Sequence, residues 1–226
     1  MICYSENMII KCSSAKDGSM KHGGSEATIR AHRRQFLEKI GCNPNLACLV
    51  QLSYEGDDFC RYSEIDQTNG GEGVTLDSRQ IADGLLTRTP SQALFLPLAD
   101  CIGAVLWDKS ETALMLNHLG RHNLEQQGAA KSIEYFCTQV GTVPQDMHVY
   151  LSAAASGKNY PLYHFNGRSL HDVALEQLKQ VGVTPTNITI DSRDTPTDKN
   201  LYSHSEFLKG NRSSDGRFMI VACLSS

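Results

Sequence analysis

Residues 99–118, ADCIGAVLWDKSETALMLNH, open on a cysteine pair member and close on its possible partner: Cys101 and His118, with mostly apolar residues between. If the apolar runs flanking the polar turn DKSE form an antiparallel hairpin with Trp107 opposite Thr112, Cys101 falls opposite His118. Opposed residues in such a pair have Cα atoms about 4.5–5.5 Å apart and side chains on one face. An imidazole beside a thiol lowers its pKa and orients it as a nucleophile, which would make Cys101 the thiol most readily alkylated. Cys plus His is also a common start to a zinc site. The same spacing is met by an inert buried hairpin with a cysteine in its core. After His118 the stretch GRHN enters a helix, whose free N–H groups could hold an anion beside Arg121 and His122.

Those residues need elements to carry them. MIIKCSS reads as a strand, followed by the turn-rich AKDGSMKHGGS. EATIRAHRRQFLEKI reads as a helix capped by Ser25 and stopped by Gly41, with Ile29, Phe36, Leu37 and Ile40 at helical spacing. LACLVQLSY, residues 46–54, reads as one strand. Residues 55–81 lack periodicity and read as a long excursion, a hairpin and a loop over a site. ALFLPLA, IGAVLW and TALMLN have the character of central strands. LEQQGAAKSIEYFCTQVG reads as one helix, MHVYLSA as a strand, SLHDVALEQLKQVGV as a helix, and NITI and RFMIVACL as strands. The pattern, without a linker or repeat, predicts a single α/β or α+β domain over residues 1–226.

The bulk numbers narrow the partners. Of 226 residues 40% are hydrophobic, ample for a core. Lys and Arg total 21 against 25 Asp and Glu, with no run of five like charges, so neither nucleic acid nor an anionic membrane is an expected partner. Small molecules are. Glu6 stands where a secretion signal would be basic, and no apolar run is long enough to span a bilayer, so the chain reads as cytoplasmic. The eight cysteines include no C-x-x-C pair and read as reduced thiols, with Cys3, Cys12, Cys48, Cys137 and Cys223 among apolar neighbours.

Taken together, these stretches resemble the laccase-domain family, the YfiH-like proteins often labelled polyphenol oxidoreductases. ADGLLT is similar to the family's D-A-L-V-T, LADC to its A-D-C, NHLGRHN to its H-A-G-W-R-G, GSMKHGGS to its S-T-R-x-G-G-x-S and SDGR to its late G-R turn. The resemblance implies an α+β domain with mixed sheets in α/β/β/α layers, a zinc site using Cys101 and His118, and phosphorolysis or deamination of purine nucleosides. Lys21 stands where the family has a phosphate-directed Arg. The family's first metal ligand, in Q-V-H-G, is matched here by QLSY, which puts Ser53 at the His position. Arg121 and His122 replace the Trp and Arg of H-A-G-W-R-G. Two zinc ligands alone hold the metal weakly unless His22, His122, His164 or His204 joins them.

Three functions compete on these residues. The first is a nucleoside phosphorylase or deaminase in which Cys101 and His118 flank the reacting centre and Lys21, Arg121 or Arg217 meets phosphate. The second is a metal-free cysteine amidohydrolase of the deamidase or peptidoglycan-precursor-editing type, with Cys101 attacking and His118 as base. The third is a binding protein with a degenerate site. Multicopper oxidation is disfavoured by eight histidines without a single H-x-H pair.

Overall fold

Runs such as FMIVACL and IGAVLW, apolar throughout, suit strands buried on both faces, and they occupy the centres of two sheets. The computed structural model describes residues 8–79 and 81–225; Cys3 and the segment around Glu6 lie outside them. The strands are β1 (Met8–Cys12), β2 (Cys48–Leu49), β3 (Tyr62–Ile65), β4 (Gly84–Thr87), β5 (Ala93–Leu98), β6 (Ile102–Asp108), β7 (Leu114–Leu119), β8 (Met147–Leu151), β9 (Ile188–Ile190) and β10 (Phe218–Leu224). The helices are α1 (Glu26–Lys39), α2 (Arg121–Glu125), α3 (Gly128–Val140), α4 (Leu170–Gln180) and α5 (His204–Leu208). One sheet has the order β1-β10-β5-β2, the other β3-β4-β7-β6-β8-β9, and both mix parallel with antiparallel pairs.

Three apolar layers follow from the strand alternation. Phe36 and Leu37 of α1 pack on Phe95, Met219 and Val221 at the outer face of the four-stranded sheet. Leu94, Leu96, Ile220 and Ala222 meet Val105, Trp107, Leu114 and Leu116 between the sheets. Ile133 and Phe136 of α3 and Val173 and Leu178 of α4 cover Leu106, Met115 and Val149 on the far face. Each of the larger aliphatic and phenyl side chains, fully buried, contributes roughly 1.5–3 kcal/mol. The result is the α/β/β/α layering that the resemblance implies. Among the described residues no helix is long and apolar enough to cross a membrane.

Local signals place the helices well. The Ser25 hydroxyl accepts from the Thr28 N–H at 3.2 Å, and Gly41 leaves α1 with φ +81°. Four expectations need correction. The strand expected over residues 46–54 is regular only at Cys48–Leu49, because the chain leaves β5 after Val50 donates to the Phe95 carbonyl and then runs towards the sheet end. Among the described residues of 55–81 no hairpin forms; β3 there pairs in parallel with β4. The helix expected from Leu124 is two helices, broken at Gln127, whose φ is +65°. The hairpin β6–β7 forms, but Gly103, not Cys101, lies opposite His118. Its turn is two residues longer than expected because the buried Asp108 carboxylate accepts from the N–H groups of Ser110, Thr112 and Ala113.

Candidate active site

A two-residue shift preserves side-chain parity in a strand, so His118 and the Cys101 end of β6 still share a face. That face looks into the space between the sheets, since a side chain at Gly103 would collide with Leu98 and Ile220. Cys101 sits where the chain crosses from β5 in one sheet to β6 in the other. Gly120 shows how closely the two groups converge: a Cβ there would stand 3.0 Å from His118 Nε2 and 3.2 Å from Cys101 Sγ. Any side chain at position 120 would therefore be driven between them.

Their protonation differs from an activated pair. Burial, reinforced by the neighbouring Asp100 carboxylate, pushes the Cys101 thiol up to about 12, although Arg217 and Arg121 oppose it. Burial pulls His118 down to about 4, against the attraction of Asp83 and with help from Lys21. Both groups are thereby biased to the uncharged form at neutral pH, in contrast to the activated thiolate that an adjacent imidazole would favour. The physical reason is desolvation, which outweighs the imidazole beside the thiol.

Around this pair lies a cavity of about 360 Å³, lined in part by Lys21, Arg121 and Arg217. The bend that opens it is at Asp100, a residue 4% exposed whose φ is +80°. Asp100 accepts from Thr195 Oγ1 at 2.8 Å and from the Ser205 N–H at 2.7 Å, so it fastens residues 195–205 to the crossover. Asp215 in turn accepts from His204 Nδ1 at 2.8 Å and from Arg217 Nη1 at 2.5 Å. Lys21 is depressed by burial and by Arg217 and Arg33, and His22 by burial and by Arg217 and Lys21. Cations that depress one another in this way are relieved by an anion.

Other expected contributors divide. His22, His122 and His204 line the cavity, whereas His164 lies outside its lining, 4.0 Å from Glu125. α2 spans only five residues, too short to present the extended anion-binding terminus foreseen for it. Ser53 turns its hydroxyl to the Glu55 N–H, and its neighbours Leu52 and Tyr54 line the cavity instead. Thr195, which nothing in the sequence marks, anchors Asp100 from 95 residues away. Phe59 and Tyr54 were also missed, because nothing in the aperiodic stretch around them marks their destination.

The donors present do not fit a zinc ion. Cys101 and His118 converge, but among the described residues no group of three His, Cys, Asp or Glu side chains forms a metal cradle. The nearby candidates are committed elsewhere: Asp83 to Arg61 at 2.7 Å, Asp100 to Thr195 and Ser205, His204 to Asp215. Zinc sites use three or four protein ligands, and multicopper sites still more imidazoles.

Comparison with known proteins agrees with this architecture. A purine nucleoside phosphorylase of Mycobacterium tuberculosis (strain ATCC 25618 / H37Rv) is 26% identical over 202 residues, covering 80% of this chain and 76% of that protein. Another from Corynebacterium glutamicum is 25% identical over 139 residues, 61% of this chain and 52% of its own. The crystal structure of Bacillus licheniformis hypothetical protein YfiH superposes with a TM-score of 0.83 at 16% identity, covering 96% of this chain and 93% of that one. YlmD from Geobacillus stearothermophilus gives 0.83 at 18% identity, covering 100% and 94%. At those identities the structural likeness establishes the fold. The family model described as multi-copper polyphenol oxidoreductase laccase matches residues 13–166, well over half of the sequence, and the chain belongs to that family.

Proposed function

We propose that the protein cleaves purine nucleosides by phosphorolysis. The observation that carries this reading is the convergence of Lys21, Arg121 and Arg217 on the cavity that holds Cys101 and His118. Inorganic phosphate binds against Lys21 and Arg217: Lys21 is depressed by burial and by its cationic neighbours, and Arg217 shares the Asp215 carboxylate with His204. A phosphate oxygen forms a bond to the anomeric carbon of the ribose as the glycosidic carbon–nitrogen bond breaks. The bonding pair leaves with the purine, which takes up a proton and departs as the free base, and the sugar leaves as its 1-phosphate.

His118, neutral and beside Cys101, carries one N–H and one bare nitrogen, so it can hold a ribose hydroxyl or pass a proton without itself starting as a cation. Cys101, held as the thiol, serves as a compact apolar and weakly donating floor, not as a ready nucleophile. That protonation state weighs against the cysteine amidohydrolase reading. The two named relatives support the phosphorylase kind.

The test is release of hypoxanthine from inosine and of adenine from adenosine, with and without inorganic phosphate, alongside ammonia release from adenosine. Phosphate-dependent base release is the expected result. Ammonia release without base release would replace phosphorolysis by deamination, and turnover of neither nucleoside would reject the reading.

A further inference from the structure

We infer that Phe59 and His122 form the stacking wall of a purine-base subsite, an inference that rests on the nucleoside-cleaving function proposed above. Their rings lie 4.9 Å apart between centroids at an interplanar angle of 23°, and both line the cavity. Such a stack is useful for recognition only if it is held still, and this one is held from several directions. The Phe59 N–H donates to Gln126 Oε1 at 3.0 Å, and Asn123 Nδ2 donates to the Phe59 carbonyl at 2.7 Å. Gln126 also donates to the Asp57 carbonyl. The residue's backbone is thus clamped on both sides by amides at the end of α2.

The histidine is fixed in its own plane. Arg121 can only donate, so its 3.1 Å contact makes His122 Nε2 the acceptor, and Nδ1 faces Glu125 Oε2 at 3.7 Å. Tyr54 also neighbours the phenyl ring, 6.5 Å away between centroids and tilted by 45°. A planar ring sandwiched between two others at van der Waals contact separates them by about 7 Å. Tyr54 is 62% exposed, and a purine seated between it and Phe59 requires its ring to turn parallel at that spacing.

The chemistry of the wall selects a flat heterocycle. Every nucleobase offers a π-face, and the gain from stacking needs no particular hydrogen-bond pattern. The unused N–H groups of Arg121 stand beside His122, where ring nitrogens of a purine find donors that a plain phenyl ring could not use. Lys21 and Arg217 enter from the four-stranded sheet's side, Arg217 immediately before β10, while Phe59 and His122 belong to the side of α2. Base and phosphate are thereby assigned to different walls, with Cys101 and His118 where the walls meet.

The experiment is a fluorescence titration with 2-aminopurine riboside, whose emission is quenched by stacking, on the wild type and on Phe59→Leu and Phe59→Tyr, with phosphate binding measured in parallel. Phe59→Leu keeps apolar bulk but removes the π-face, and affinity should fall about tenfold or more. Phe59→Tyr should bind within about twofold of wild type, and phosphate affinity should be unchanged in both. If Phe59→Leu does not fold, Gln126→Ala releases the Phe59 amide while leaving the ring, and should weaken the riboside several-fold. A wild type that does not quench the probe, or a Phe59→Leu or Gln126→Ala variant that binds it as tightly as wild type, would overturn the inference. Phe59-dependent binding without phosphorolysis of inosine would retain the stack and reject the phosphorylase reading; phosphorolysis indifferent to Phe59 would do the reverse.

Discussion

The two walls of the cavity are built on different physical terms. On the α2 side, Phe59 is held against His122 by neutral amide hydrogen bonds with Asn123 and Gln126, which specify distance and plane. On the opposite side, carboxylates do the holding: Asp100 grips Thr195 and Ser205, and Asp215 joins His204 to Arg217. Neutral, directional bonds suit a wall that must present a shape. Charged groups suit a wall that must present charge, because a carboxylate positions a cation while leaving other cations near it unbalanced.

Removing Asp100 should break the charged wall most severely. Asp100→Ala strips one buried and one half-buried donor of their acceptor and leaves an alanine at φ +80°, and should cost about 2–4 kcal/mol in urea unfolding. Amide exchange should accelerate at Ser205 while Phe59 and His122 stay protected. Equal acceleration on both sides would show that the walls are one unit.

A gentler cut separates charge from shape. Lys21→Met and Arg217→Met should each raise the KM for phosphate about tenfold or more, from loss of a charge-assisted contact worth about 1.5–3 kcal/mol. The KM for nucleoside should be little changed. Because Lys21 is depressed by burial and then by Arg217 and Arg33, Lys21→Met should leave the unfolding midpoint unchanged or raised at low salt. A lowered midpoint would mean that Lys21 serves the fold.

Gly128→Ala attacks the other wall. A Cβ there would stand 1.8 Å from Asn123 Oδ1, so the amide must leave its place and Phe59 loses one of its clamps. Stability should fall by about 1–3 kcal/mol, with weaker 2-aminopurine riboside quenching and unchanged phosphate affinity. Quenching at the wild-type level in a destabilised variant would uncouple Asn123 from the stack.

His171 supplies a control outside both walls. Its Nε2 lies 2.9 Å from the Ser152 carbonyl, and burial lowers its pKa despite that contact. Below the ordinary imidazole range, about 6.5, the unfolded chain takes a proton that the folded chain resists, so stability falls as pH drops through that window. His171→Gln should flatten the slope by less than one proton, with no effect on either ligand. An unchanged slope in urea titrations between neutral and mildly acidic pH would refute the assignment.

Much of the frame was legible along the chain because its determinants are local. Ser25 caps α1 from one position before it, and the apolar runs of β5, β6, β7 and β10 are strands where expected. The hairpin register was not legible, because the competing bonds from Asp108 back to its own turn lengthen it by two residues. The partners of Asp100 and Phe59 were equally hidden: Thr195 and Asn123 are 95 and 64 residues away. Short-range preferences decide caps and periodicity, whereas such meetings depend on how whole layers dock.

The sequence by itself determined the alternation of strands and helices, the motifs around Cys101 and His118, and the choice of Lys21, Arg121 and Arg217 as the cations to watch. Tertiary structure decided what those residues can do. It brought all five to one cavity, shifted His118 opposite Gly103, turned Ser53 aside in favour of Tyr54, and set Phe59 against His122. It also decided protonation, holding Cys101 as a thiol and His118 as a neutral imidazole. The reason is that residue type sets only a starting pKa, while desolvation and neighbouring charge come from surfaces that meet when the sheets close on each other.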